Sequence, residues 1–147
     1  MSAWCNAQGF SAAAQFLKEH SDEERDHMMR LFVYVNDSGA EAQLGAIESP
    51  AASYDSIDEM FKKIYKHECF VSGEINKLAK TTFEAGDFST FNFLQWYVAE
   101  QHEEEHLFSD ISRIVTDLTV NKLSNYEIDV AIKESVQVRQ FATSANV

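Results

Sequence analysis

Proline and glycine are scarce in this chain of 147 residues, which contains one proline and five glycines. Long stretches therefore lack any residue that breaks a helix, and this excludes the short, punctuated strands of a β fold. The two cysteines, Cys5 and Cys69, are too far apart for a CxxC motif, so neither a disulfide framework nor a zinc knuckle is indicated. We expect an all-α protein of a reducing compartment, the cytoplasm.

Long apolar runs and positive charge are also lacking. No run approaches the roughly 18 apolar residues of a membrane helix, and no Lys or Arg precedes the Ala-rich stretch near the amino terminus, as a signal peptide would require. The 24 Asp and Glu residues outnumber the 12 Lys and Arg residues, which gives a formal charge of −12. This charge repels nucleic acid and attracts cations. We therefore expect neither a membrane nor a nucleic-acid partner.

The apolar residues, 45% of the chain, suffice for the core of one domain. Turn-forming residues concentrate in two segments, 36–56 and 84–89, and the intervening sequence has the pattern of long helices. A weaker apolar stripe near the carboxyl terminus predicts one further, short helix. The predicted helices cover about residues 10–36, 55–83, 88–118 and 124–140.

The two turn-rich segments predict different connections. Residues 36–54 are longer than the usual link between helices, so we expect a crossover that can run along a neighbouring helix. The turn over 84–89 is short enough to make its two helices antiparallel. Asp55 or Ser56 is expected to cap the second long helix.

Polar residues interrupt the apolar row of each long helix near mid-length. Steps of three and four residues give the expected core row of each helix. From the last long helix to the first, the rows are Leu94, Tyr97, Gln101, Glu104, Phe108, Ile111, Val115, Leu118; then Ile57, Phe61, Ile64, Glu68, Val71, Ile75, Leu78; then Phe10, Ala13, Leu17, His20, Glu24, His27, Leu31, Tyr34. Because a buried carboxylate is costly unless it is neutralised, these rows predict bound metal ions.

The spacing of the polar groups fits a di-metal centre. Glu24 and His27 form an ExxH pair, one turn apart on a helix face, as in di-iron sites of helix bundles. Gln101 and Glu104 repeat the one-turn spacing. Carboxylate oxygens with an imidazole suit iron or manganese. His20 is expected to be a core residue, or a histidine that supports a ligand, rather than a ligand itself.

Other polar residues of the stretch QWYVAEQHEEEHLF have a simpler interpretation. A solvated helix face accounts for Glu105, His102 and His106. The ExxH pair that Glu103 forms with His106 lies off the core phase and is discounted.

Several segments resemble the bacterial non-haem ferritins. They are SAWC, AAAQFLKEHSDEERDHMMRLF, IESP, YKHE and TFNFLQWYVAEQHEEEHLF, within about residues 1–118. The resemblance implies a single ferritin-like domain over 1–147, a four-helix bundle with a long crossover and a short fifth helix. It also implies a shell of 24 subunits, oxidation of Fe(II) by O₂ or peroxide, and storage of ferric mineral.

The resemblance also assigns roles to individual residues, with iron as the metal. Glu24 corresponds to the carboxylate that bridges two irons, and His27 to a ligand of the first iron. Glu68 and Gln101 correspond to ligands of the second iron, with Glu104 beside them. A third iron site is implied at Glu23, Glu100, Glu103 and Glu104.

The family's first helix, which supplies a further glutamate, has no counterpart after Met1. A late start assignment, a truncation and a helix supplied by a partner stay open as explanations. Iron storage with ferroxidase activity is the function that the resemblance implies. The alternative is a truncated, non-catalytic structural subunit or helical fragment that co-assembles with complete ferritin chains. A third hypothesis is a di-iron oxidase of an organic substrate, for which no residue defines a substrate pocket.

Overall fold

The structure, a computed structural model, describes the backbone of residues 1–144 and the side chains of residues 1–138. It divides into two compact units, Met1–Tyr54 and Asp55–Val147. Within residues 1–144 all regular secondary structure is helical, which confirms the predicted all-α class. The helices are α1 (Ser2–Ala7), α2 (Ser11–Asp37), α3 (Ile57–Glu84), α4 (Phe88–Val120) and α5 (Asn125–Ser144).

The three long helices begin and end within two residues of the predicted bounds. The sequence did not predict α1, whose six residues are too few for a periodic pattern. The last helix, α5, has 20 residues and continues four residues past the predicted end at 140. The prediction of one ferritin-like domain over 1–147 stays a prediction. None of the helices within the described residues is both long and apolar enough to cross a lipid bilayer.

The first unit contains α1 and α2, joined by a tight turn. Gly9 has a φ of +87°, a left-handed conformation that favours glycine, and the Phe10 amide donates to the Cys5 carbonyl at 2.9 Å. The Ser2 hydroxyl donates to the Ala14 carbonyl at 2.7 Å and ties α1 to α2. Buried apolar side chains of this unit include Cys5 in α1, Phe10 just before α2, and Ala13, Ala14 and Leu17 in the amino-terminal half of α2.

The second unit is built on the pair α3 and α4, with α5 packed on α4. Side-chain contacts join Phe83 to Phe88, Gln101 to Glu68, and Thr116 to Asp58. Residues progressively later in α4 contact residues progressively earlier in α3, so the two helices are antiparallel. The expectation from the short turn is thus confirmed.

Local hydrogen bonds define where α3 and α4 begin. The Ser56 hydroxyl accepts from the Glu59 amide at 3.0 Å, so Ser56 rather than Asp55 is the cap of α3. The Glu59 carboxylate in turn accepts from the Asp55 amide at 2.9 Å, which resembles a capping box. Before α4, Gly86 has a φ of +72° and Asp87 caps the helix by accepting from the Thr90 amide at 3.0 Å.

The predicted core rows of α3 and α4 are largely confirmed. In α4 every residue of the row except Leu118 is buried. In α3 the row is buried from Ile57 to Glu68 and again at Ile75, whereas Val71 is half-buried and Leu78 is exposed. Towards the carboxyl end of α3 the buried positions are instead Ser72, Ile75 and Ala79, so the inward face has rotated by one residue. Small residues at 72 and 79 fit a close helix contact.

A polar contact between α3 and α4 gives a stability prediction. Thr116 donates to Asp58 at 2.6 Å, and Lys62 donates to the same carboxylate at 2.7 Å. Burial alone would raise the pKa of Asp58, but the hydrogen bonds from Lys62 and Thr116 outweigh it and hold that pKa below its ordinary value of 3.8. We expect Thr116→Val to lower the free energy of unfolding at neutral pH by about 1 kcal/mol, as measured by urea denaturation.

The pH dependence of this loss follows from the direction of the shift. A lowered pKa stabilises the fold above the unfolded value of 3.8, and this contribution is lost as pH falls through the lower folded value. The difference between Thr116→Val and the parent should therefore shrink below pH 3.8. Thr119→Val, at an exposed position of the same helix, is the matched control. An equal loss in the control, or a loss unchanged at low pH, would contradict the assigned role of Thr116.

Candidate metal centre

In the first unit, α2 presents an alternating series of imidazoles and carboxylates. Glu24 lies between His20 and His27, with Glu24 Oε1 at 3.4 Å from His20 Nε2 and Glu24 Oε2 at 3.6 Å from His27 Nδ1. On the other side of His20, Nδ1 is 3.5 Å from Glu23 Oε2. Two ligands of one ion at about 2.1 Å each lie about 3 Å apart when at right angles. Glu24 and His27 therefore need only a small rotation to bind the same ion.

The burial of this series differs from the sequence prediction. His20 is buried, as predicted for a core residue, and His27 is partly buried. The side chain of Glu24, however, is 46% exposed, so the prediction of a core position is wrong for Glu24. Glu24 lies in the segment SDEERDHMMR, residues 21–30. Most side chains there are charged, and few apolar side chains are available to cover the inward face of α2.

The sequence predicts His20 as a core or supporting histidine, but it does not predict the specific contact with Glu24. The signal was present, because His20 and Glu24 are four residues apart and such side chains are neighbours on a helix. The structure places the imidazole of His20 as close to Glu24 as that of His27. His20 therefore joins Glu23, Glu24 and His27 as a polar group of the α2 site.

In the second unit, α3 and α4 bring Glu68 and Gln101 together. Gln101 Nε2 donates to Glu68 Oε2 and to the Glu68 carbonyl, both at the long distance of 3.4 Å. Glu68, Gln101 and Glu104 are each only 6% exposed, as their place in the core rows predicted. At this distance both hydrogen bonds are weak.

The apolar surroundings raise the free-energy cost of burying the charged carboxylates of Glu68 and Glu104 unless a cation lies beside them. Tyr97 and Phe108 flank Gln101 and Glu104 along α4, and Ile64 precedes Glu68 by one turn of α3; all three are buried. Carrying a charge into such a site has a free-energy cost that a metal ion offsets, since it supplies positive charge and direct bonds. Oxygen ligands from two carboxylates and an amide suit a hard or borderline cation.

The remaining predicted ligands lie on the same side of α4. Glu100, Glu103 and Glu104 are separated by three and four residues, so their side chains project from adjacent turns. Their burial falls from Glu104, which is buried, through Glu100, which is half-buried, to Glu103, which is exposed. The carboxylates of α4 near Gln101 thus range from the core to the surface of the second unit.

Comparisons with known proteins identify the family of this chain. Residues 1–116 match the ferritin family, described as a ferritin-like domain. The chain is 53% identical over 111 residues to a probable bacterial non-heme ferritin-like protein of Haemophilus influenzae, a match that covers 76% of this chain and 67% of the relative. It is 51% identical, with the same coverage, to the bacterial non-heme ferritin of Escherichia coli O157:H7.

Solved structures give the same result. The ferritin of Chlorobium tepidum has a TM-score of 0.79 and 36% identity, covering 99% of this chain and 82% of that one. An open pore ferritin of Archaeoglobus fulgidus has a TM-score of 0.84 and 32% identity, covering 90% of this chain and 82% of that one. These matches confirm the predicted ferritin-like fold class, and the chain belongs to the ferritin family, among the bacterial non-haem ferritins.

Proposed function

We propose that this chain is a subunit of an iron-storage protein that oxidises Fe(II) at a di-iron carboxylate site. The observation that carries the proposal is the burial of two carboxylates, Glu68 and Glu104, with the amide of Gln101 in the apolar core of α3 and α4. A storage protein that only adsorbed iron would not need buried ligands. Membership of the ferritin family supports iron storage as the general function.

The ligands are proposed in two groups. Glu68 and Gln101 bind one Fe(II), with Glu104 beside them. His27 binds the other Fe(II), and Glu24 bridges the two ions, as the family resemblance implies. The support from geometry is local: the carboxylate of Glu24 has an imidazole on either side, and Glu68 contacts Gln101.

Iron is the substrate in this reaction and supplies the electrons. Two Fe(II) ions each lose one electron, and O₂ takes up both electrons with two protons to give H₂O₂. With peroxide as the oxidant, the same two electrons and two protons give two water molecules. The protein holds the ions about 3.5–4 Å apart, so that one oxidant molecule can accept both electrons. The carboxylates also offset the additional positive charge of Fe(III).

A third iron site is proposed at Glu23, Glu100 and Glu103, together with the buried carboxylate of Glu104. We expect Glu100→Ala to reduce the number of Fe(II) bound per chain in an anaerobic titration, with the initial rate of oxidation close to that of the parent. The reason is that Glu100 lies one turn from the buried ligands and acts on iron only outside the di-iron centre. Glu105→Ala is the matched control on the same helix. If Glu100→Ala binds as much Fe(II) as the parent, the third site is wrong.

The family resemblance further implies the setting of the reaction. Twenty-four such chains would form a cytoplasmic shell, whose acidic inner surface concentrates Fe(III) and nucleates mineral. The net charge of −12 fits this use, since it attracts cations. Ferrous iron, O₂ or peroxide, and further copies of the chain are thus the proposed partners.

Addition of Fe(II) in air to the purified protein tests the proposal against its alternative. A ferroxidase produces the yellow-brown ferric absorbance faster than Fe(II) in buffer does, and keeps the product in solution with the protein. A rate equal to that in buffer would instead favour a non-catalytic structural subunit that co-assembles with complete ferritin chains.

A further inference from the structure

Two exposed histidines lie four residues apart on α4, on the side of the helix away from the carboxylates of the core. His102 and His106 are separated by about 40° around the helix axis, and each lies about 160° from Glu104. Both are exposed, and side chains at this spacing have Cβ atoms about 5–6 Å apart. The sequence HEEEH over 102–106 has the H-E-x-x-H spacing by which one helix face holds a metal ion between two imidazoles.

A carboxylate lies beside the second imidazole, one turn further along α4. His106 Nδ1 is 3.1 Å from Asp110 Oδ2. A metal ion bound at Nε2 of His106 would leave Nδ1 facing this carboxylate. A carboxylate beside the second ring nitrogen is the usual support of a metal-binding imidazole.

The neighbouring helix adds a second carboxylate to the same region. His106 and Asp110 line a groove of about 620 Å³ between α4 and α5, and Glu134 and Ser135 of α5 line it as well. The groove lies entirely within the second unit. A cation bound at His106 would therefore lie near carboxylates from two helices.

We propose that His102 and His106 form a binding site for a divalent transition-metal ion such as Zn²⁺ or Cu²⁺, separate from the iron centre. Two imidazoles as the main ligands suit Zn²⁺ or Cu²⁺, in contrast to the carboxylate-rich set of the iron centre. Asp110 acts as a positioning residue through His106. Asp110 and Glu134, which line the groove beside α5, add negative charge near the cation, and water completes its coordination.

Calorimetric titration with Zn²⁺ tests this site by stoichiometry. The parent should bind one more Zn²⁺ per chain than either His102→Gln or His106→Gln, because one imidazole alone does not hold the ion. His67→Gln is the matched control, since His67 is also an exposed helical histidine but has Lys63 and Val71 four residues away. Equal stoichiometry of the parent and both variants, or the same loss in His67→Gln, would overturn the proposal.

Two further readouts separate a metal site from a structural role. Asp110→Asn should keep the stoichiometry and weaken Zn²⁺ binding about 10–100-fold, the usual effect of removing the group that orients a ligand. With Cu²⁺ bound, the electron paramagnetic resonance spectrum of the parent should show stronger nitrogen hyperfine coupling than that of His106→Gln. The rate of Fe(II) oxidation in His106→Gln should equal that of the parent. A slower rate would mean that the pair belongs to the iron centre, and would refute the proposed separation.

Discussion

Replacement of Glu68 by glutamine is expected to produce the largest loss of function in this protein. The substitution keeps the size of the side chain and removes its negative charge from a position that is only 6% exposed. Loss of a group that merely supports a metal ligand typically weakens metal binding about 10–100-fold, so loss of a ligand itself should weaken binding of Fe(II) by at least that factor. Stopped-flow absorbance at limiting Fe(II) should show a correspondingly slower oxidation.

The stability of the metal-free variant distinguishes a functional loss from a folding defect. Because a buried charge disappears, the free energy of unfolding of Glu68→Gln without metal should equal or exceed that of the parent. Glu74→Gln is the matched control, since Glu74 lies on the same helix and pairs with Lys77 at the surface. If Glu68→Gln oxidises Fe(II) at the parent rate, Glu68 is not a ligand. A slow but strongly destabilised variant would mean that its role is structural.

The largest loss of stability is expected for Phe108→Ala. The Phe108 side chain is fully buried in α4, one turn from both Glu104 and Ile111. Truncation of a buried phenylalanine removes its transfer free energy and leaves a cavity, so the free energy of unfolding should fall by about 3–5 kcal/mol. Chemical denaturation followed by circular dichroism at 222 nm measures this change in a helical protein.

Two further variants keep this prediction testable if Phe108→Ala does not fold. Ile111→Val, also fully buried, should cost about 0.5–1.5 kcal/mol. Phe70→Ala removes a phenylalanine that is 62% exposed on α3, and it should change stability by no more than about 0.5 kcal/mol. Comparable losses at positions 70 and 108 would show that the assigned core is wrong.

The helices could be predicted from sequence because their ends are marked by local chemistry. Ser56 and Asp87 accept hydrogen bonds from backbone amides of the first turn, and Gly86 takes the left-handed conformation that ends α3. These interactions involve residues close in sequence and therefore leave a sequence signal. The six-residue helix α1 leaves none, because its stability comes from contacts with α2, such as that of Ser2 with Ala14.

The burial of the polar residues proposed as ligands in the second unit could also be predicted, whereas the exposure of Glu24 could not. Gln101 and Glu104 fall in phase with buried apolar residues on both sides, so periodicity alone places them in the core. In α2 the apolar row is interrupted over residues 21–30, so the periodicity of apolar residues cannot predict which side chains there are buried. Leu78 was predicted wrongly for a different reason: Leu78 and Ala79 are both apolar, so the pattern does not distinguish them, and the inward face of α3 shifts to Ala79.

Diffraction at the iron absorption edge, from crystals soaked in Fe(II) without oxygen, would locate the bound iron. Two anomalous peaks about 3.5–4 Å apart are expected. One should lie about 2.0–2.2 Å from a carboxylate oxygen of Glu68, and the other at a similar distance from a ring nitrogen of His27. Peaks confined to surface carboxylates, with none at Glu68, would contradict the proposal that this chain binds and oxidises iron in its core.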